Sequence, residues 1–386
     1  MKKFLALILA LVMALALVAC GEKAPVDEGG DDVAAPADKI AMVTDYGDIT
    51  DQSFNQTTYE ACKAFAEANG YDFTYYKPAG DSDAERVAMI EKAVDEGYTV
   101  IVLPGFAFAN AIAQTAPTYT DVKFIALDVS EFDLTSAGLT ADTMTNVYSA
   151  VYQEELSGYM AGYAAVKMGY TKLGYLGGMA VPAVQKFGYG FVQGADAAAV
   201  ELGVTVDMNY IYGGLFYGTA DITAVMDTWY QGGTQVIFAC GGGIYTSVVD
   251  AAMKVEGAKV IGVDVDQAGV IAKYAGMEDT SLTITSAMKG LYPTTVDTLT
   301  DVLINGNWAN YSGKVATLGL VSGDDPTLNY VQIPMESTQW SDTFTQDDYK
   351  ALVKGMFDGA IVVSGDISAM PATTNVNVTE LGQIVG

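Results

Sequence analysis

The chain contains no histidine among its 386 residues. That removes Ser-His-Asp and Cys-His nucleophile systems and any His-ligated zinc site. Cysteine is nearly as scarce, with Cys20, Cys62 and Cys240 the full set, too few for a thiolate metal cluster. Basic residues are also few: 19 Lys and Arg stand against 47 Asp and Glu, for a net charge of -28. Nucleic acid and anionic membrane surfaces repel such a chain. The acidity serves solubility and does not by itself imply a cationic ligand. Long apolar runs are missing as well. The run from Phe4 to Ala19 has ~16 residues, short of the roughly 20 that a spanning helix needs.

What that run has instead is context. Lys2 and Lys3 precede it, and Leu17-Val18-Ala19-Cys20 closes it. Two positive charges, a short apolar segment and small residues before a cleavage point describe a secretory signal. A cysteine directly after Leu-Val-Ala makes it a lipoprotein signal over 1–19, with Cys20 acylated as the new N-terminus. Residues 20–38 carry Pro25, Gly29-Gly30, Asp31-Asp32 and Pro36 and no aromatic side chain. Such a segment cannot bury enough apolar surface to offset its ordering entropy, so it reads as a flexible tether.

Beyond the tether, short apolar β-branched runs alternate with longer amphipathic ones. Strands are expected near 39–44, 71–76, 98–103 and 122–127, with helices between them near 51–69, 84–96 and 108–119. A second cycle begins with a helix at 153–168. Strands come next near 172–176, 207–212, 235–239, 259–263 and 282–285, with helices near 183–201, 220–230, 245–255 and 292–304. Continuously apolar strands, each succeeded by a helix, indicate parallel sheets covered on both faces. The fold class is therefore α/β, as two doubly wound parallel-sheet domains with a cleft between them. The expected lobes are 39–150 with about 268–315, and 151–267 with about 316–386. Cys62 falls in a helical pattern and Cys240 at a strand end, so both are expected as buried free thiols.

The segment richest in chemistry is Thr44-Asp-Tyr-Gly-Asp-Ile-Thr-Asp-Gln-Ser-Phe-Asn-Gln56, which joins the first strand to the first helix. Asp45 sits at a strand end. Phe54 and Asn55 open the helix at the rim of the expected cleft. A ring that stacks, an amide that reads a base edge and a carboxylate that accepts hydroxyls suit an aromatic base bearing a sugar. The same residues also have local uses: Asp51 or Ser53 caps the helix and Phe54 staples it to the sheet.

Asp51-Gln-Ser-Phe-Asn-Gln56 resembles the signature of the basic membrane protein family, lipoprotein substrate-binding components of ABC importers whose well-understood members bind purine nucleosides. Further segments agree in order: Glu155-Leu-Ser-Gly-Tyr-Met-Ala-Gly162, Pro182 to Gly194 with Phe187-Gly-Tyr-Gly-Phe191, Val236 to Gly243, and Ile261-Gly-Val-Asp-Val-Asp-Gln267. The resemblance spans roughly Ile40 to Lys289. It implies a type I periplasmic-binding-protein-like architecture.

On matching positions, the resemblance implies that Phe54 stacks on one purine face and Phe216 on the other, with Tyr212 or Tyr217 as alternatives to Phe216. Asn55 would bond the base. Asp45, Asp128 and Asp264, all at strand ends, would take base N–H or ribose hydroxyl groups. Gly242 would let the backbone approach the sugar, and Lys289 would bond the base or a hydroxyl. The sequence departs from the family pattern at 213–218 (Gly-Gly-Leu-Phe-Tyr-Gly), at 241–245 and at Ala287-Met288, mainly on the second-domain wall.

The expected function is capture of a nucleoside in a hinged cleft and its delivery to ABC permease subunits. The protein would be lipid-anchored at the extracytoplasmic face of the cell membrane, with no cofactor, metal, catalytic residue or nucleic-acid partner. A ligand sensor or surface antigen of the same fold is one alternative. A nucleoside hydrolase using Asp45, Asp48 and Asp51 is another. A riboflavin-like solute is an alternative ligand.

Overall fold

A computed structural model describes residues 38–385. The expected signal peptide and Cys20, with the tether up to residue 37, lie outside the described residues. No described helix is long and apolar enough to cross a membrane.

The first lobe is assembled from β1 (Ile40–Val43), α1 (Phe54–Asn69), β2 (Phe73–Tyr76), α2 (Asp83–Asp95), β3 (Val100–Pro104), α3 (Ala109–Thr115), β4 (Lys123–Leu127), α4 (Glu131–Ser136) and β5 (Val147–Tyr152). The second contains α5 (Glu154–Lys167), β6 (Lys172–Gly177), α6 (Pro182–Leu202), β7 (Val206–Tyr212), α7 (Ala220–Gln231), β8 (Val236–Cys240), α8 (Tyr245–Ala252), β9 (Lys259–Asp264), α9 (Ala268–Ala275) and β10 (Thr283–Lys289). The chain then returns to the first lobe for α10 (Leu291–Leu299) and β11 (Lys314–Leu318). It ends in the second with β12 (Val331–Gln332), α11 (Gln346–Phe357) and β13 (Val376–Gln383).

The central strands form because they are apolar throughout: every residue of β1, β3 and β8 is buried. That is the signature of parallel strands sandwiched between helices. The first sheet runs β11-β5-β4-β3-β1-β2, all parallel. The second runs β12-β10-β9-β8-β6-β7-β13, parallel except for the short β10–β12 pair. The order reverses at β1 in one sheet and at β6 in the other. Loops leaving the strand ends there open into a crevice, the usual ligand position in such sheets.

The chain passes between lobes three times: at Gln153, at Gly290 and between β11 and β12. The expected first-lobe segment near 268–315 is corrected by this topology. α9 and β10 stay with the second lobe, since β10 continues that sheet by pairing with β9. Only α10, which packs on α1, and β11, which pairs with β5, belong to the first. The expected helix 292–304 is α-helical to Leu299 and widens into a π-turn over Thr300–Ile304. Cys62 and Cys240 are buried and unpaired, as expected.

Candidate functional site

Between the lobes lies a cavity of about 420 Å³. Asp45, Phe54, Asn55, Asp128, Phe216, Gly242, Asp264 and Lys289, all singled out from sequence, line it.

The first-lobe wall begins where β1 ends. Asp45 Oδ1 accepts the N–H groups of Tyr46 (2.6 Å) and Gly47 (2.7 Å), folding the chain into an Asx-type turn. Asp51 then caps α1. Its carboxylate accepts the backbone N–H of Ser53 (2.9 Å), Asn55 (2.9 Å) and Gln56 (3.1 Å), favourable at the positive end of a helix. Ser53, at the N-cap position, makes no side-chain cap bond. Its hydroxyl instead crosses the cleft to Asp264 Oδ2 at 2.6 Å. Asn55 Nδ2 is shared between Asp45 (3.2 Å) and Asp51 (3.1 Å), which leaves Asn55 Oδ1 buried without a partner. Burial raises the carboxyl pKa of Asp45, and pushes that of Asp51 to about 6, against the hydrogen bonds each receives.

At the hinge, three elements deliver charge to one point. Asp128 directly succeeds β4 and Asp264 ends β9, both with left-handed backbone (φ 62° and 65°). This is a costly conformation for residues with a Cβ, and one concentrated at functional positions. Lys289, at the end of β10, pairs with Asp128 Oδ2 and lies 3.6 Å from Asp264 and 3.8 Å from Glu154. Its ammonium also sits 4.6 Å from the centre of the Phe54 ring, and 5.6 Å from those of Tyr152 and Phe187. Burial alone would lower the Lys289 pKa, but the three carboxylates outweigh it and hold it above its ordinary value. Glu154 is pushed up to about 8, first by burial and then by Asp128, against the attraction of Lys289 and Lys186. Asp128 Oδ1 is a second buried acceptor without a partner.

The second-lobe wall is aromatic. Phe216 lies in the loop after β7, its ring close against Gly178 and Gly241. A Cβ at Gly241 would come within 2.9 Å of the ring and one at Gly178 closer still. The Phe216 carbonyl accepts the N–H of Gly243 at 2.9 Å. Gly242 has φ 49°, which favours glycine. Tyr46 reaches over from the first lobe, its ring 6.4 Å from that of Phe216 and its hydroxyl 3.4 Å from the sulfur of Met179. Tyr217 also lines the cavity. Tyr212 does not, its hydroxyl being paired with that of Tyr210 at 3.0 Å.

Tyr46, Glu154, Lys186 and Phe187 also line the cavity, with no role assigned from sequence. Phe187 lies inside one of the family-like segments. Glu154 directly precedes another, and only its convergence with Asp128 and Lys289 in space distinguishes it from Glu155.

Comparison with known proteins agrees with this geometry. Residues 38–347 match the Bmp family model, described as ABC transporter substrate-binding protein PnrA-like. The chain belongs to the Bmp family. It is 28% identical over 299 residues (74% of this chain, 80% of the relative) to the ABC transporter nucleoside-binding protein BmpA of Lactococcus lactis subsp. cremoris. It is 25% identical over 320 residues (81% and 85%) to basic membrane protein B of Borreliella afzelii. The Bmp architecture recurs in an ABC transporter solute-binding protein of Aeropyrum pernix K1, with a TM-score of 0.64 at 21% identity over 84% of this chain and 87% of that one. That likeness supports the type I binding-protein fold.

Proposed function

We propose that this Bmp-family protein captures a purine nucleoside between its lobes and hands it to an ABC permease, working from a lipid anchor at Cys20 on the extracytoplasmic face of the membrane. The observation that carries the reading is the pairing of aromatic walls with unsatisfied acceptors in one cavity. Phe54 from one lobe and Phe216 from the other line the cavity, as do Asn55 and Asp128, each of which carries a buried side-chain oxygen without a hydrogen-bond partner. A flat base with N–H groups and a sugar with hydroxyls supplies both needs. Each buried polar group left unmatched costs about 1–3 kcal/mol, so purines and pyrimidines are distinguished by their edges.

Hydrolysis is less well supported. Asp45 and Asp51 spend their carboxylates on backbone N–H groups, and Asp48 pairs with Lys77 at 2.6 Å. The acidic loop thus has no convergent trio, and among the described residues no group of three or more His, Cys, Asp or Glu side chains is placed to hold a metal.

The test is mass spectrometry of small molecules released from purified protein, then calorimetry against guanosine, inosine, adenosine, cytidine and riboflavin. Phe54→Ala weakens binding of the preferred nucleoside more than tenfold without unfolding the protein. Unchanged affinity removes Phe54 from the site. Free hypoxanthine on incubation with inosine would establish hydrolysis instead. Cys20→Ser abolishes incorporation of labelled palmitate if the anchor is as proposed.

A further inference from the structure

The family match ends at residue 347, and the chain continues to 386. Much of this extra length is tied to the second lobe. Gln193 of α6 exchanges two hydrogen bonds with the backbone of Ser364, both 2.9 Å. Asp196, one turn on, gathers three successive N–H groups: Thr374 (2.9 Å), Asn375 (2.7 Å) and Val376 (3.0 Å). A carboxylate accepting three backbone donors fixes the start of β13. From there β13 runs parallel to β7, from Val376 beside Val206 to Gln383 beside Tyr212.

The two residues beyond β13 reach the loop that carries the second-lobe wall. Ile384 donates its N–H to the Tyr212 carbonyl (2.9 Å), and Val385 donates to the Gly213 carbonyl (3.1 Å). On the other side of that loop, Gly213 donates to Gly177 (2.7 Å) and Gly214 to Gly178 (3.0 Å). Gly213 and Gly214 are therefore clasped between the β6 turn and residues 384–385. Gly214 has φ 84°, and a Cβ there would collide with the Val385 carbonyl. Two residues later comes Phe216, whose ring rests on Gly178. The clasped loop is also where the sequence departs from the family wording, at 213–218.

We propose that the C-terminal strand is a brace for the ligand site. Through Ile384 and Val385 it pins the Gly213–Gly214 turn, and thereby sets where Phe216 stands in the cleft. Residues 384–385 act as positioning residues and do not touch the ligand. An edge strand that merely covered β7 could end at Gln383; the two bonds beyond it serve the loop. The ligand-binding half of the proposal rests on the nucleoside reading above.

The experiment uses full-length Ile384→Pro/Val385→Pro, which deletes both N–H donors, with Ile384→Val as the conservative control. Hydrogen exchange by mass spectrometry reads the loop directly. The double variant is expected to exchange more than tenfold faster at 213–218 and at Gly243, with β6 and the first five residues of β7 unchanged and the control like wild type. Calorimetry with inosine and guanosine is expected to show about tenfold weaker binding in the double variant. Unchanged loop exchange overturns the brace, as does exchange raised evenly through the second lobe, which marks general loosening. Faster loop exchange with undiminished nucleoside affinity overturns its role in positioning Phe216. If wild type binds none of inosine, guanosine and adenosine, the nucleoside reading fails, and the loop exchange alone decides whether the brace exists.

Discussion

The Ser53 hydroxyl donates to Asp264 Oδ2 at 2.6 Å, joining the N-cap of α1 in one lobe to the end of β9 in the other. Both residues are buried. A hydrogen bond to a charged group contributes about 1.5–3 kcal/mol, and one that spans the cleft contributes to the closed arrangement alone. On the nucleoside reading, Ser53→Ala therefore weakens ligand binding about tenfold, since a smaller share of the protein is closed and competent. Calorimetry measures the loss. Small-angle scattering of the unliganded variant gives an independent reading, as an increased radius of gyration. An unchanged radius and affinity together would show that the bond does not hold the lobes.

Glu154 links the hinge to pH. Its carboxyl is pushed from the ordinary 4.5 to about 8 by burial and by Asp128. Between those values the folded state binds more protons than the unfolded chain, so stability falls as pH rises through that window and levels off above it. The expected loss is roughly 2–4 kcal/mol from pH 5 to pH 8. Glu154→Gln removes this contribution and flattens the profile. Urea unfolding at pH 5, 6.5 and 8 compares the two proteins; equal slopes would place the titration elsewhere.

The continuously apolar strands are legible in the sequence because burial on both faces leaves a simple pattern. β5 (Val147-Tyr-Ser-Ala-Val-Tyr152) is not, because Ser149 interrupts its apolar run. The structure buries Ser149 there by bonding its hydroxyl to the Val129 carbonyl at 2.6 Å. β12, two residues long, leaves no periodic trace. The lobe boundary at Gly290 escapes the sequence because a strand continuing the second sheet looks like one returning to the first. Residues at strand ends, such as Asp45, Asp128 and Asp264, are readable as candidates. The meeting of Glu154 with Asp128 and Lys289 is not, since it depends on two chain crossings coming together.

The balance of charge in the cleft sets what it refuses. Asp45, Asp48, Asp51, Asp128, Asp133, Glu154 and Asp264 line the cavity against Lys77, Lys186 and Lys289. Lys77 faces Asp48 (2.6 Å) and Lys289 faces Asp128, while Lys186 lies 3.7 Å from Glu154, whose carboxyl, pushed up to about 8, is largely ionised only above that pH. Above about pH 8, where Glu154 is ionised, a phosphate entering this site finds each of these lysines facing a carboxylate and several further anions. Inosine 5′-monophosphate should therefore bind at least about 100-fold more weakly than inosine, a difference of about 2.7 kcal/mol. Competition calorimetry tests it, and comparable affinities would mean that a lysine exchanges partners on binding.

The second lobe is held together by helices that touch backbone to backbone. Gly158 and Gly162 of α5 lie against the carbonyls of Phe187 and Phe191 in α6. Gly190 and Gly194 of α6 lie in turn against those of Glu155 and Tyr159. At all four positions a Cβ would collide with main chain, which cannot rotate aside as a side chain can. Glu154 and Phe187, carried by these two helices, reach the cleft in register only while the contact stays close. Gly162→Ala therefore forces α5 and α6 apart and costs about 2 kcal/mol or more, at the upper end of overpacking effects. Gly269, inside α9, has no atom within 4 Å of where a Cβ would stand. Gly269→Ala, at the second residue of α9, gains up to about 0.5 kcal/mol from helix propensity. Urea unfolding of the two variants separates close approach from propensity, because the same substitution moves stability in opposite directions. A Gly162→Ala protein as stable as wild type would mean that the helices part without penalty.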